Sequence, residues 1–559
     1  MIQRQTALDC IVIGHNELNA EERVEAMEPF KDYSGGFGDV VRNYAKLDGR
    51  WTSFAGLFRH ASERVHGSPL EFDAWGATNL AACYLTNYLS KRGLRVEMVN
   101  SFRGDRDRLL QLLDTGAKAA AITTTYYVVD DELNDVIALL RERSPETKII
   151  VGGPFVYRNV AKSPNPAARM KQLGADVYIV ENQGEHTLAA LLKALAEDSE
   201  PDLRGIPNLL YLDDAGQLVK TDEIHEDNSL EDEVIDWSAY NPDFIRPLTL
   251  MRTARSCAFS CSFCTYPVFG GALVTSDLSA VERELKQLDA MGVRYIDFVD
   301  DTFNVPLPRF KKLCKMIIEN KFSFKWLSFL RIGNMDDEAI DLAAQSGCVG
   351  ALLGIESADN QVLKNMNKNA TVEKYARGVK MLNERGIMTQ AMFIVGFPGD
   401  TEQTVQQAID FVRETKPTFS MVQLWYYDTM APIAERAEEF GLEGFGFSWK
   451  HNTMDWTTAD RMTDHFVKNL SDSTFLPGYG FGFENIFYLM GLGYDIDAIK
   501  GFLKVSHGMM LRSIDPSQGP VTELEPALVE SVRACGPPPT TLGVSSAPAT
   551  SRIETADQA

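Results

Sequence analysis

The sequence predicts an α/β chain: a Rossmann-like N-terminal domain, a partial (β/α)6 barrel and a small mixed C-terminal region. Three observations carry this. Short apolar runs alternate with amphipathic helical stretches from residue 9 to residue 427, the pattern of parallel sheets covered on both faces. The alternation breaks once, at the acidic stretch TDEIHEDNSLEDEVIDW (221–237), which reads as a linker. The 559 residues are 45% apolar and 24% charged, enough to build the cores of two or three domains.

In chain order, residues 1–235 hold the strand-like runs DCIVIG (9–14), RVEMVNSF (95–102), AKAAAITTTYYV (117–128), KIIVGGP (148–154) and ADVYIVEN (175–182). Helices NLAACYLTNYLSKRG (79–93) and ELNDVIALLRER (132–143) separate them, the first closed by a C-terminal glycine. Residues 246–430 repeat strand-then-helix six times. The strands are LTLMRTA (248–254), RYIDFVD (294–300), FKWLSFL (324–330), GALLGIE (350–356), MTQAMFIVGF (388–397) and FSMVQLWYY (419–427). In SAVERELKQLDAMG the pair Ser279 and Glu282 reads as a capping box, with Val281, Leu285, Leu288 and Met291 on one face. TVEKYARGVKMLNERG (371–386) ends on a capping glycine. Six such units predict chemistry at the C-terminal ends of the strands. Residues 431–514 are mixed and aromatic-rich, and 515–559, with ACGPPPTTLGVSSAPATS, are expected to be disordered.

The net charge of −23 repels phosphate backbones, so nucleic acid is not an expected partner. No apolar run is long enough to span a bilayer, and the N-terminus lacks the build of a signal peptide. A cytoplasmic, reducing location is expected, with the eight cysteines as thiols.

Three of those cysteines crowd into RSCAFSCSFCTYP (255–267): Cys257, Cys261 and Cys264, spaced C-x3-C-x2-C just after the first barrel strand. Thiolates ligate soft metals. A structural zinc site closes with four ligands, and here it would need a distant fourth residue. Three thiols can instead hold three irons of a 4Fe–4S cluster and leave the fourth iron open.

The motif, with Phe263 before its last cysteine, resembles the radical S-adenosylmethionine (SAM) superfamily. The resemblance implies that Cys257, Cys261 and Cys264 ligate the cluster, that SAM chelates the open iron, and that an electron cleaves SAM to a 5′-deoxyadenosyl radical. Three more segments are similar to that superfamily's barrel. FVDDTFNV (298–305) implies Asp300 or Asp301 near the SAM amine. LLGIES (352–357) implies Gly354, Glu356 and Ser357 near the ribose, and FIVGFPGDT (393–401) implies Gly396 beside the adenine.

The N-terminal half resembles the cobalamin-binding domain that precedes this barrel in one radical SAM subfamily. The implied corrin contacts are Thr123, Thr124 and Thr125, Gly152 and Gly153, and Gln183, Gly184 and Glu185 in ENQGEHT. These lie where doubly wound sheets bind ligands. The Asp-x-His-x-x-Gly motif that supplies an axial histidine in many such domains is absent, and Trp75 in FDAWGATNLA stands where that histidine would sit. Cobalamin is therefore expected without a protein histidine on cobalt, His15 being the sole histidine to nominate.

RTARSCAFSCSFC, DDTFNVPLPRFK, GIESADNQVLKNMNK and QLWYYD are most similar to the phosphinothricin-tripeptide-type P-methyltransferase family. The resemblance implies methyl transfer to an unactivated carbon or phosphorus of a small-molecule or carrier-bound natural-product intermediate. It also implies an external electron donor such as flavodoxin or ferredoxin. Rival readings are a non-methylating oxidative cyclisation or ring rearrangement, and a non-catalytic electron-transfer protein. Tyr426 and Asp428, ending the sixth strand, are the candidate catalytic residues, and strand alternation sends neighbours to opposite sides. FSWKHNTMDW (447–456) is a candidate lid with His451 and Asp455. Cys314 and Cys348 lie in helical patterns and read as small buried residues.

Overall fold

A computed structural model of the chain describes residues 8–68, 78–231 and 234–536. Two seven-stranded sheets organise it. The first contains β1 (Cys10–His15), β2 (Val96–Ser101), β3 (Ala119–Thr123), β4 (Lys148–Gly152), β5 (Val177–Ile179), β6 (Leu209–Leu212) and β7 (Leu218–Lys220), in the order β2-β1-β3-β4-β5-β6-β7. The first five run parallel, with Ile13 opposite both Val99 and Ile122. Every residue of β1 is buried, because helices cover both faces. These include α1 (Phe54–His66), α2 (Leu80–Ser90), α3 (Asp130–Arg143) and α4 (Glu185–Glu197). The antiparallel hairpin β6–β7 at the edge is an addition to the predicted strands.

The second sheet is the barrel: β8 (Leu248–Met251), β9 (Tyr295–Phe298), β10 (Lys325–Phe329), β11 (Cys348–Glu356), β12 (Met388–Val395) and β13 (Phe419–Leu424), all parallel and in chain order. A seventh strand, β14 (Thr474–Phe475), pairs parallel with β13, so the sheet exceeds the six strands expected. Two residues are too short to show a period in sequence. Cys348 opens β11, not a helix as expected, while Cys314 is helical; both are buried. Helix α5 (Tyr266–Gly270) follows the cysteine motif.

Helix α6 (Leu278–Ala290) buries Val281, Leu285 and Leu288 as predicted, but its cap is Asp277. Ser279 lies inside the helix and Glu282 pairs with Lys286 at 2.8 Å, so the expected capping box does not form. Helix α7 (Val372–Glu384) is followed by Gly386 at φ +72°, the predicted stop. At the N-terminal end of the barrel, α8 (Phe483–Gly491) acts as a plug: Phe487 packs on Tyr295 at 5.6 Å and Phe483 on Phe419 at 5.7 Å between ring centroids.

Two regions expected to be loose are packed. The acidic linker buries Glu226 and Asn228. Glu226 accepts hydrogen bonds from the backbone N–H groups of His186 (2.8 Å) and Thr187 (2.9 Å), a carboxylate at the positive N-terminal end of α4. Beyond α9 (Ile496–Ile514), the expected disordered tail forms α10 (Glu525–Ala534). This helix packs on α1 and α9, with Leu528 and Val532 fully buried. Residues 537–559, with the Pro/Ser-rich run, lie outside the described residues. No helix among the described residues is long and apolar enough to cross a membrane.

Candidate active site

Asp300 builds the loop that carries the cysteines. Its carboxylate accepts from Thr253 N (2.7 Å), Thr253 Oγ1 (2.6 Å) and Ala254 N (3.0 Å), which turns the chain out of β8 toward Cys257. Arg309 holds the same turn through the Thr253 carbonyl at 3.1 Å. Further along, the Ser262 hydroxyl donates to the Asn365 carbonyl at 2.7 Å. The Ser262 N–H donates to the Met366 carbonyl at 2.9 Å, and its own carbonyl accepts from Ile433 N at 2.8 Å. The motif is thereby tied to the segment after β11 and to the chain beyond β13.

The three cysteines line one cavity of about 280 Å³ together with Phe263, Asp301, Gly354 and Glu356. Burial pushes the Cys264 thiol up to about 11; the charges of Cys261, Asp301 and Cys257 add to it, against an opposing backbone hydrogen bond from Tyr266. A crowded, desolvated thiol set of this kind becomes thiolate when a soft metal supplies positive charge. The three thiols share one cavity wall, a donor set that can hold three irons of a cluster, one each. Asp301 faces the cavity, its carboxyl pushed up to about 6 by burial. Asp300 is turned away into the loop, so in the turn that follows β9 the two adjacent aspartates take different directions.

Glu356 sits in the left-handed region at φ +64°, costly for a residue with a side chain, and pairs with the buried Lys368 at 3.0 Å. Ser357 is buried outside the cavity wall, where its Oγ accepts from Asp359 N at 3.2 Å. Gly396 also lies off the wall. A Cβ there would meet the Trp449 ring at 2.5 Å, so the glycine serves ring packing. His451 stacks on Trp449 at 5.2 Å, and its Nε2–H donates to the Gly396 carbonyl at 3.0 Å. Asp455 caps the next helix by accepting from Thr458 N at 2.8 Å. The candidate lid is therefore a packed segment, with neither polar candidate facing the cavity. Tyr426 is 54% exposed, while Trp425 and Tyr427 are buried. Asp428 lies 3.6 Å from Arg158 of the N-terminal domain, and neither it nor Tyr426 lines the cluster cavity.

A second cavity, of about 250 Å³, lies at the C-terminal edge of the first sheet, lined by Thr123, Thr124, Thr125, Gly152, Gly153, Gly184 and Glu185. Gly153, at φ +104°, is required there: a Cβ would sit 2.8 Å from Thr124 Oγ1, which donates to the Gly152 carbonyl at 2.7 Å. Gln183 is absent from this wall, and its Oε1 accepts from Asn228 N at 3.3 Å. His15 is buried at the end of β1, edge-on to Tyr126 at 6.4 Å. Trp75 lies outside the described residues.

Sequence reasoning missed several cavity residues, Arg331, Lys368, Tyr375 and Tyr266 among them. Arg331 places Nη1 3.6 Å from Cys261 Sγ and its guanidinium 3.6 Å over Phe259. Lys368 and Tyr375 close the same cavity. Tyr266 lines both cavities. Its nearness to Cys264 was a usable signal; Arg331, Lys368 and Tyr375 reach the site only through folding.

Residues 251–412 match the Radical SAM superfamily. The anaerobic magnesium-protoporphyrin IX monomethyl ester cyclase of Rubrivivax gelatinosus is 24% identical over 482 residues, 80% of this chain and 82% of that protein. Among solved structures, the radical SAM methyltransferase TsrM from Kitasatospora setae, with cobalamin and a 4Fe–4S cluster bound, has a TM-score of 0.59 at 20% identity, covering 79% of this chain and 97% of its own. The cobalamin-dependent SAM radical enzyme OxsB, with aqua-cobalamin and SAM bound, has a TM-score of 0.58 at 14% identity, covering 94% of this chain and 75% of its own. At these identities the likeness to both structures is one of fold.

Proposed function

Because the chain carries a radical SAM domain at residues 251–412, we propose that it is a cobalamin-dependent methyltransferase acting on an unactivated carbon or phosphorus centre of a natural-product precursor. The observation that carries this reading is Tyr266, a wall shared by the cysteine cavity and the cavity of the N-terminal sheet. Methylating a centre that is not nucleophilic needs a hydrogen-abstracting group and a methyl donor within reach of one substrate atom, and adjoining cavities meet that need.

Cys257, Cys261 and Cys264 would hold the cluster, Asp301, Gly354 and Glu356 would bound the SAM site, and Thr123–Thr125 with Gly152 and Gly153 would receive the corrin. When bound, these groups supply the electron, the radical and the methyl group. The chain's own residues orient and shield. Asp300 and Arg309 fix the cysteine loop, and Lys368 holds the Glu356 carboxylate in place. Arg331 brings a positive charge beside Cys261, which offsets part of the negative charge that three thiolates bring into a buried site. Phe263, 6.3 Å edge-on from Phe397, keeps one wall apolar and limits water.

The test is anaerobic turnover of the reconstituted protein with methyl-labelled SAM, a reductant and extracts containing candidate precursors. Labelled product with equimolar S-adenosylhomocysteine and 5′-deoxyadenosine is expected. Product with no 5′-deoxyadenosine would mean polar methylation and defeat the radical step. A second reading, non-methylating oxidative cyclisation, is favoured by the cyclase that aligns over 80% of the chain. It would yield 5′-deoxyadenosine and an unlabelled, oxidised product.

A further inference from the structure

Helix α5 stands between the two cavities and has no core of its own. None of its five residues is buried, and Val268 is 54% exposed. A helix this short is far below the about 12–15 residues at which an isolated helix becomes even marginal. Its position is therefore set from outside, and it is held from two sides.

On one side is the cysteine loop. Cys264 lies two residues before the helix. The Tyr266 hydroxyl accepts from Ser256 N at 3.3 Å, and the Ser256 hydroxyl donates to the Gly271 carbonyl at 2.6 Å. Gly270 fits so closely there that a Cβ would meet Ser256 Oγ at 2.9 Å. On the other side is the N-terminal domain. Asn182, in the wall of the sheet-edge cavity, donates through Nδ2 to the Phe269 carbonyl at 2.8 Å. The helical segment 154–161 begins at Pro154, which is in the same wall. It places Tyr157 edge-on to Phe269 at 5.0 Å and the Arg158 guanidinium 4.8 Å over the same ring. Arg158 also donates to the hydroxyl of Thr265, the residue after Cys264, and faces Asp428 at 3.6 Å. Arg158 lines neither cavity, so it can act on a ligand in either one only through the elements it holds.

Two ligands whose cavities share one such element are coupled. The first to bind fixes α5 and loses the entropy of ordering it, and the second meets it already ordered. Coupling of this kind is reciprocal. We infer that Arg158 and Asn182 are positioning residues through which cobalamin in the sheet-edge cavity tightens SAM binding at the cysteine cavity. The inference rests on the proposed function for the occupants of the two cavities, but binding is measurable without methyl transfer.

The test is equilibrium dialysis of labelled SAM with the cluster-reconstituted protein, without reductant, in the absence of cobalamin and at saturating hydroxocobalamin. Cobalamin should raise SAM affinity at least about fivefold, and saturating SAM should raise cobalamin affinity by the same factor. Backbone hydrogen exchange in residues 265–271 should slow when cobalamin alone is added. Arg158→Ala combined with Asn182→Ala should bring the affinity ratio below about twofold, while SAM affinity without cobalamin changes by less than about twofold. Contacts that merely supported the fold would, when lost, lower both SAM affinities and leave their ratio intact, and that result would overturn the inference. So would a ratio near one in the unaltered protein, or a failure to bind cobalamin. If the double variant fails to fold, Arg158→Ala alone should still cut the ratio at least about twofold, and an unchanged ratio there would overturn the inference equally. Coupling in a protein that yields 5′-deoxyadenosine but no methylated product would defeat the methyltransfer reading and leave this inference standing.

Discussion

Asp300 and Asp301 are adjacent, yet one builds the cysteine loop and the other faces the cavity. The division is made in the turn after β9, where the hydrogen bonds from Thr253 and Ala254 hold Asp300 away from the cavity, and it separates residues that hold the site from residues able to touch its contents. The cysteines belong to the second group. Replacing Cys257, Cys261 and Cys264 together with Ala should leave the reconstituted protein with essentially no cluster iron and no SAM cleavage, read by iron analysis and 5′-deoxyadenosine assay. Retention of both would remove the cluster assignment. The Asp300 contribution differs in kind, because its loss would free two backbone N–H groups and a hydroxyl in a buried turn.

At the scale of elements, helix α10 extends the core beyond the point where composition suggested it ends. Leu528 and Val532 are fully buried against α1 and α9. Leu528→Ala should therefore destabilise the fold by about 2–5 kcal/mol, seen as a lower denaturation midpoint. A change within about 0.5 kcal/mol, as at ordinary surface positions, would show that the helix does not contribute. The linker makes the same point. The acidic 221–237 stretch reads as a linker, yet Glu226 is consumed in capping α4. Charge density describes an average, whereas a single carboxylate can be buried wherever backbone N–H groups receive it.

At the scale of the molecule, Tyr266 is the place where the two domains share a wall. Tyr266→Ala should open one cavity to the other and loosen the alignment of the two half-reactions. SAM cleavage should persist while methylated product per 5′-deoxyadenosine falls at least about tenfold, measured by quantifying both in one turnover. A parallel loss of both activities would instead make Tyr266 a structural support of the cysteine loop, through its contact with Ser256 N at 3.3 Å.

The sequence alone determined what is local. Six barrel strands, five N-terminal parallel strands and the cysteine triad follow from periodicity and spacing, which act over a few residues. Tertiary structure alone decided which distant residues meet. Arg331 and Lys368 reach the cysteine cavity, β14 extends the sheet with two residues, and Gly396 packs against the Trp449 ring. None of these leaves a local pattern, because each is settled by which buried surfaces and unpaired polar groups find partners when the chain closes.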